Sequence, residues 1–182
     1  MNKFIYSITL VLVVLVSCTT KTKYPEEIKA IENLEKKLAI TEAEFFSVDT
    51  TKIYGLYKAY DQNMRNIKRY NRMDSLDENR INLIMLYKRA KSLKGIRTEY
   101  RNLAKEIEGT KKQLSDLKGD LNNSNKITPE EVKQYLNDET VYTNALIQKL
   151  VETTNKGKLG EYMVDSVAPK IDSLVTLIKI EH

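Results

Sequence analysis

The chain has one cysteine, Cys18, and one histidine, His182, the final residue of the sequence. A lone cysteine cannot close an internal disulfide. With a single histidine, no Cys/His metal site, Cys–His pair or Ser–His–Asp triad can be assembled. Tryptophan is absent, and 182 residues contain only three prolines and six glycines. Few turn-formers mean few loops and long regular elements. Long hydrophobic runs are also missing. The longest uninterrupted one is Leu10 to Val16, and Ile5 to Val16 is the most generous reading. A spanning helix needs roughly 20 predominantly apolar residues.

Charge is abundant and nearly balanced. There are 30 basic and 25 acidic residues, giving a formal charge of +5. This suits a domain beside an anionic surface and falls short of the basic excess of a nucleic-acid binder. Lys, Glu, Leu and Ile dominate, and apolar residues recur at threes and fours, the period of an amphipathic helix. The expected class is all-α.

The apolar run admits three readings: a membrane span, a cleaved secretory signal or a lipid-attachment site. Its length is that of a signal core, with Lys3 as a short positive start. It ends in Leu15-Val16-Ser17-Cys18. This tetrad resembles the bacterial lipobox, in which the cysteine thiol is alkylated with diacylglycerol, the signal is cut before it, and the new amine is acylated. The resemblance covers residues 1 to 18. It implies a signal peptide over 1–17 and lipid attachment at Cys18; the small polar residues that follow read as a tether over 18–25, and the helical spacing beyond them as one domain over 26–182. Several acyl chains, at about 0.8 kcal/mol per buried CH₂, make a stable anchor. In lipoprotein sorting an aspartate after the cysteine favours inner-membrane retention. Thr19 stands there instead, which points to the outer membrane, and the lack of acidic residues before Glu26 points to its periplasmic face. The layout is similar to small helical lipoproteins of Bacteroidota.

Residues 26–72, 75–121 and 129–180 form three arms of similar length. Pro25, Glu26 and Glu27 suit a helix start. Asp49 is a candidate cap for a second helix. Asn71 to Ser75 reads as a turn, with Asp74 or Ser75 as cap, and Asn122 to Asn125 as a loop. Thr128-Pro129-Glu130-Glu131 carries the pattern of a capping box. The expected seam runs through Ile53, Leu56, Tyr60, Met64 and Ile67, then Leu83, Leu86, Ala90 and Leu93. In the last arm it is expected through Val132, Tyr135, Tyr142, Leu146 and Leu150. The expected architecture is an elongated antiparallel three-arm bundle, coiled-coil-like, about 70 Å long at 1.5 Å per residue. Its arms are kinked or broken near 49, 95 and 155–160. Folding about Met73–Asp74 and about Asn125 brings these three weak points to one level. Five separate helices in a compact bundle are the alternative.

Candidate chemistry is sparse. Glu26-Glu27 and Glu130-Glu131 read as first-turn residues. Asp74-Ser75-Leu76-Asp77-Glu78 lacks the glycine of a calcium loop, and Gly157 and Gly160 form no phosphate loop. No catalytic residue, metal site or cofactor is implied. Tyrosine is the unusual residue, eleven against three phenylalanines. Tyr54, Tyr57, Tyr60 and Tyr70 interleave with Arg65, Lys68, Arg69 and Arg72. Tyr87 and Tyr100 interleave with Lys88, Arg89, Lys91, Lys94, Arg97 and Arg101. Tyr60 and Tyr100 fall on the seam as core residues. The basic face, Arg65, Lys68, Arg69 and Arg72 above all, is the candidate contact for an anionic surface. The function expected is non-enzymatic: a membrane-anchored envelope module that binds or spaces a protein partner, with no nucleic acid involved. The alternative is a binder of an anionic glycan or lipid headgroup, and an enzyme built on carboxylates and tyrosines ranks third.

Overall fold

The computed structural model describes residues 23–70, 76–123 and 127–180, and among these every regular element is a helix. Cys18 with the lipobox, the expected turn at 71–75 with Arg72 and its caps Asp74 and Ser75, the loop tip at 124–126, and His182 lie outside the described residues.

Pro25 opens α1 (Pro25–Phe46), with Glu26 and Glu27 at its positive end. The chain breaks at Ser47, and Asp49 starts α2 (Thr50–Tyr70). The Asp49 carboxylate accepts the backbone N–H groups of Thr51 and Lys52 at 2.9 and 3.0 Å. Its own N–H donates to Glu161 at 2.8 Å, tying the break to a distant helix. The next helix, α3 (Glu78–Tyr87), is capped by Asp77, whose side chain accepts the Arg80 N–H at 2.9 Å. The cap therefore falls later than Asp74 or Ser75, at the carboxylate three residues before a donor it can reach.

A 3₁₀ helix (Lys88–Leu93) follows, then Lys94 and Gly95, then α4 (Ile96–Asn122). Gly95 has φ of 80°, a left-handed conformation that a Cβ disfavours, and this makes the second expected break. The 3₁₀ turn also moves the seam. Ile84, Tyr87, Ala90, Leu93 and Ile96 are fully buried, while Leu83 and Leu86 are only half-buried. Spacing by threes matches three residues per turn, so the expected Leu83–Leu86 register is one residue out.

α5 (Pro129–Tyr162) opens on the complete capping box between Thr128 and Glu131. It does not break at 155–160. Gly157 and Gly160 are buried inside the helix because other side chains occupy the space of their missing Cβ atoms. A Cβ on Gly157 would stand 2.6 Å from the Tyr100 hydroxyl and 2.6 Å from Val48, and one on Gly160 would stand 2.9 Å from Ile53. The departure from α geometry comes later, in a π turn (Met163–Val167) in which the Ala168 N–H bonds to the Met163 carbonyl. The turn precedes Pro169, which has no N–H for the ladder. The helix then continues as α6 (Ala168–Ile180).

Two apolar clusters form the core. The smaller joins Tyr24, Ile31 and Leu34 of the first arm to Leu114, Leu117 and Leu121 of α4 and Val132 of α5. The larger joins the end of α1, α2, α3, the 3₁₀ helix, the start of α4, and the α5–α6 run. Charged pairs give the helix directions. Lys118 meets Glu32 and Glu35, and Lys111 meets Glu42, so α1 and α4 are antiparallel. Lys149 meets Glu106 and Lys156 meets Glu99, so α4 and α5 are antiparallel as well. In α5 the buried positions include Thr143, Thr153 and Thr154, whereas Tyr135 and Tyr142 are exposed, contrary to the expected seam. A buried oxygen of Glu139 and the Thr143 and Thr154 hydroxyls have no hydrogen-bond partner among the described residues.

Candidate functional site

The charge is not spread evenly along the chain. Residues 79–98 hold six basic and no acidic side chains, and residues 50–70 hold five basic and one acidic. The fold places these two segments side by side, because α2 packs on both the 3₁₀ helix and α4. The register is fixed by contacts. The Arg97 guanidinium lies 5.0 Å from the centre of the Tyr54 ring, a cation–π arrangement joined by Lys58 at 4.8 Å. Further along, the Tyr60 and Tyr87 rings meet at 5.4 Å, and Asn63 bridges the Tyr87 hydroxyl to Asp172.

Two concavities lie along this seam. The first, about 620 Å³, sits at the break between α1 and α2, with Phe46, Tyr54 and Tyr100 as aromatic walls and Arg97 and Arg101 beside them. Tyr100 is itself core. It stacks on Phe45 at 4.2 Å, donates to the Thr153 carbonyl at 3.3 Å, and burial pushes its hydroxyl up to about 12. It therefore stays a neutral donor at any physiological pH.

The second concavity, about 490 Å³, lies between α2 and the 3₁₀ helix. Arg65 and Lys68 line one wall, Lys88 and Lys91 the other, with Tyr60 and Met64 buried between them and Asp61 as the lining carboxylate. All four cationic side chains are exposed. Arg65 donates to Gln62 at 3.0 Å, and Lys88 rests 3.5 Å from the Met85 sulfur. Among the described residues none of the four pairs with a carboxylate. Some lysines elsewhere in the domain are neutralised by carboxylates, as at Lys118 with Glu32 and Glu35 or Lys156 with Glu99. A mixed-charge hollow containing Glu99, Glu106 and Glu152 behaves that way, since Lys156 and Lys149 take the first two carboxylates.

Of the sequence-predicted residues, Arg65 and Lys68 line the groove, and Arg69 lines a neighbouring depression with Gln62 and Asn66. Arg72 and the Tyr70 side chain lie outside the description. Lys88 and Lys91, from the second of the two basic stretches in the sequence, face Arg65 and Lys68 across one groove. Tyr60 and Tyr100 are core, as their seam positions implied, and so is Tyr87. Among the described residues no three His, Cys, Asp or Glu side chains gather to hold a metal ion, and no helix is long and apolar enough to cross a membrane. No protein-family profile, curated protein or solved structure matches the chain.

Proposed function

We propose that the protein is a non-enzymatic envelope lipoprotein, held to the periplasmic face of the outer membrane by lipid on Cys18. Its helical domain engages an anionic ligand through the basic seam between α2 and the segment Lys88–Arg101. The three arms make an elongated antiparallel bundle in this reading, with α1–α2, α3–α4 and α5–α6 as the arms and the breaks at Ser47–Asp49 and Gly95 at one level. The observation that carries the functional part is the charge segregation: residues 79–98 have no carboxylate, and they lie against a helix that has one. Exposed tyrosine at Tyr54 and half-buried Tyr57 add the aromatic component that a glycan or headgroup surface uses. Binding or spacing a protein partner is the second reading. Exposed apolar side chains such as Tyr135, Val141 and Tyr142 on α5 favour it.

Two measurements test the proposal. Mass spectrometry of the mature N-terminus should find an acylated Cys18, and a chain starting elsewhere removes the anchor. Flotation of residues 19–182 with phosphatidylglycerol vesicles should show binding at low salt that fades as salt rises, because exposed charges are screened over roughly 8 Å at physiological ionic strength. Binding unaffected by charge reversal at Arg65, Lys68, Arg69 and Arg72 would leave the protein-partner reading alone.

A further inference from the structure

We propose that the groove between α2 and the 3₁₀ helix is a phosphomonoester site, with Arg65 and Lys68 as one wall and Lys88 and Lys91 as the other; the assignment rests on the anionic-ligand reading above. Each wall is a stacked pair made by the period of its own helix. On α2, residues three apart are neighbours on one face, which sets Arg65 beside Lys68. On a 3₁₀ helix, residues three apart eclipse, which aims Lys88 and Lys91 the same way. An α-helical continuation would leave them offset by about 60° around the axis, as Arg65 and Lys68 are. The 3₁₀ segment that buries Ala90 and Leu93 thus also presents the two lysines towards α2.

The charge count selects the ligand. Four cations against the single Asp61 carboxylate leave a surplus that one negative charge does not match. A carboxylate, a sulfate monoester or a phosphodiester each brings one charge. A phosphomonoester brings about 1.5 to 2 negative charges and three strong acceptor oxygens. The Arg65 guanidinium fork takes two oxygens in a plane, and the lysine ammoniums close on the rest as point charges. The groove, about 490 Å³, has room for more than the phosphate, and Tyr60 and Met64 offer an apolar floor to the organic part of the ligand. Lipid headgroups and soluble phosphates both present this chemistry.

The test uses the full chain in nanodiscs of zwitterionic lipid, at fixed ionic strength. Calorimetry compares inorganic phosphate and glycerol 3-phosphate with methyl sulfate and glycerophosphoglycerol. The monoesters should bind at least tenfold more tightly than the singly charged probes. Lys88→Gln with Lys91→Gln should weaken them at least tenfold, and Asp61→Asn should tighten them about threefold. Lys112→Gln, on a pair with Asp116 elsewhere on α4, should change nothing. Capture of phosphatidic acid vesicles more tightly than glycerol 3-phosphate assigns a lipid headgroup, and equal affinity assigns a soluble phosphate. Indifference between phosphomonoester and methyl sulfate, with the same losses in the lysine variant, overturns the phosphomonoester site and leaves the broader anionic reading standing. Silence from every probe, vesicles included, removes both. The Asp61→Asn variant gains binding, so its result cannot be mistaken for misfolding.

Discussion

Gly157 stands where a Cβ would be 2.6 Å from the Tyr100 hydroxyl, so the two residues share one volume across α5 and α4. The hydroxyl is anchored there by its bond to the Thr153 carbonyl. Val48, at the α1–α2 break, fills the same space from the other side, also 2.6 Å from the missing Cβ. Two helices and the α1–α2 break therefore close on one absent methyl group.

Gly157→Ala should destabilise the domain by about 1–3 kcal/mol, the usual cost of forcing an atom into a filled core. This cost outweighs the gain of roughly 1 kcal/mol that alanine brings to a helix interior. Gly109→Ala has the same chemistry and the opposite sign. Nothing lies within 4 Å of its would-be Cβ, so about 0.5–1 kcal/mol of added stability is expected. Urea denaturation of the two variants checks the pair. Equal effects would mean that Gly157 is an ordinary helical glycine.

The threefold seam makes a second prediction. Ile84→Asp should cost about 3 kcal/mol or more, since it buries an unpaired charge at a position 1% exposed. Leu83→Asp, at a half-buried position, should cost clearly less. Thermal melts followed by circular dichroism decide between them. The reverse order would restore a continuous α-helical register through residues 83–96.

Much of this fold is legible in the sequence. The α2 seam, Ile53, Leu56, Tyr60, Met64 and Ile67, reads off residue by residue because a lone amphipathic helix has one period. The breaks expected near 49 and 95 are found at Ser47–Asp49 and at Gly95. Two features escaped the sequence for physical reasons. Thr143, Thr153, Thr154, Gly157 and Gly160 lie on the buried face of α5, but polar and small residues carry no hydrophobic signal. They therefore read as surface or as a break. The groove was half-visible. Helical spacing gathers Arg65, Lys68, Arg69 and Arg72, but Lys88 and Lys91 come opposite the first two only through the packing of the 3₁₀ helix on α2, which no string of charges announces.

Glu139 supplies the third prediction. Burial, with a smaller contribution from Asp138, holds its carboxyl above the ordinary value of 4.5, and one of its oxygens has no partner among the described residues. The native state thus binds this proton more tightly than the unfolded chain. The stability associated with the protonated form is complete below pH 4.5 and is lost as pH rises through the native value. Glu139→Gln removes the charge at nearly constant shape and should be more stable than the parent at neutral pH by about 1 kcal/mol. The gap should close in acid. Chemical denaturation at several pH values follows it, and a gap constant with pH would assign the effect to packing.

The unbroken run from Pro129 through the π turn to Ile180 works as a ruler. Val132 shares an apolar cluster with Tyr24 at the start of the first arm, and Asp172 bonds Asn63 beside the basic groove. Forty residues at 1.5 Å each separate Val132 from Asp172, a contour of about 60 Å. A lipid on Cys18 would fasten the Tyr24 end to the bilayer, and an upright domain would carry its cations far beyond the headgroups of its own leaflet. The groove would then be presented across the periplasmic gap, to whatever phosphate-bearing surface or solute lies on the other side.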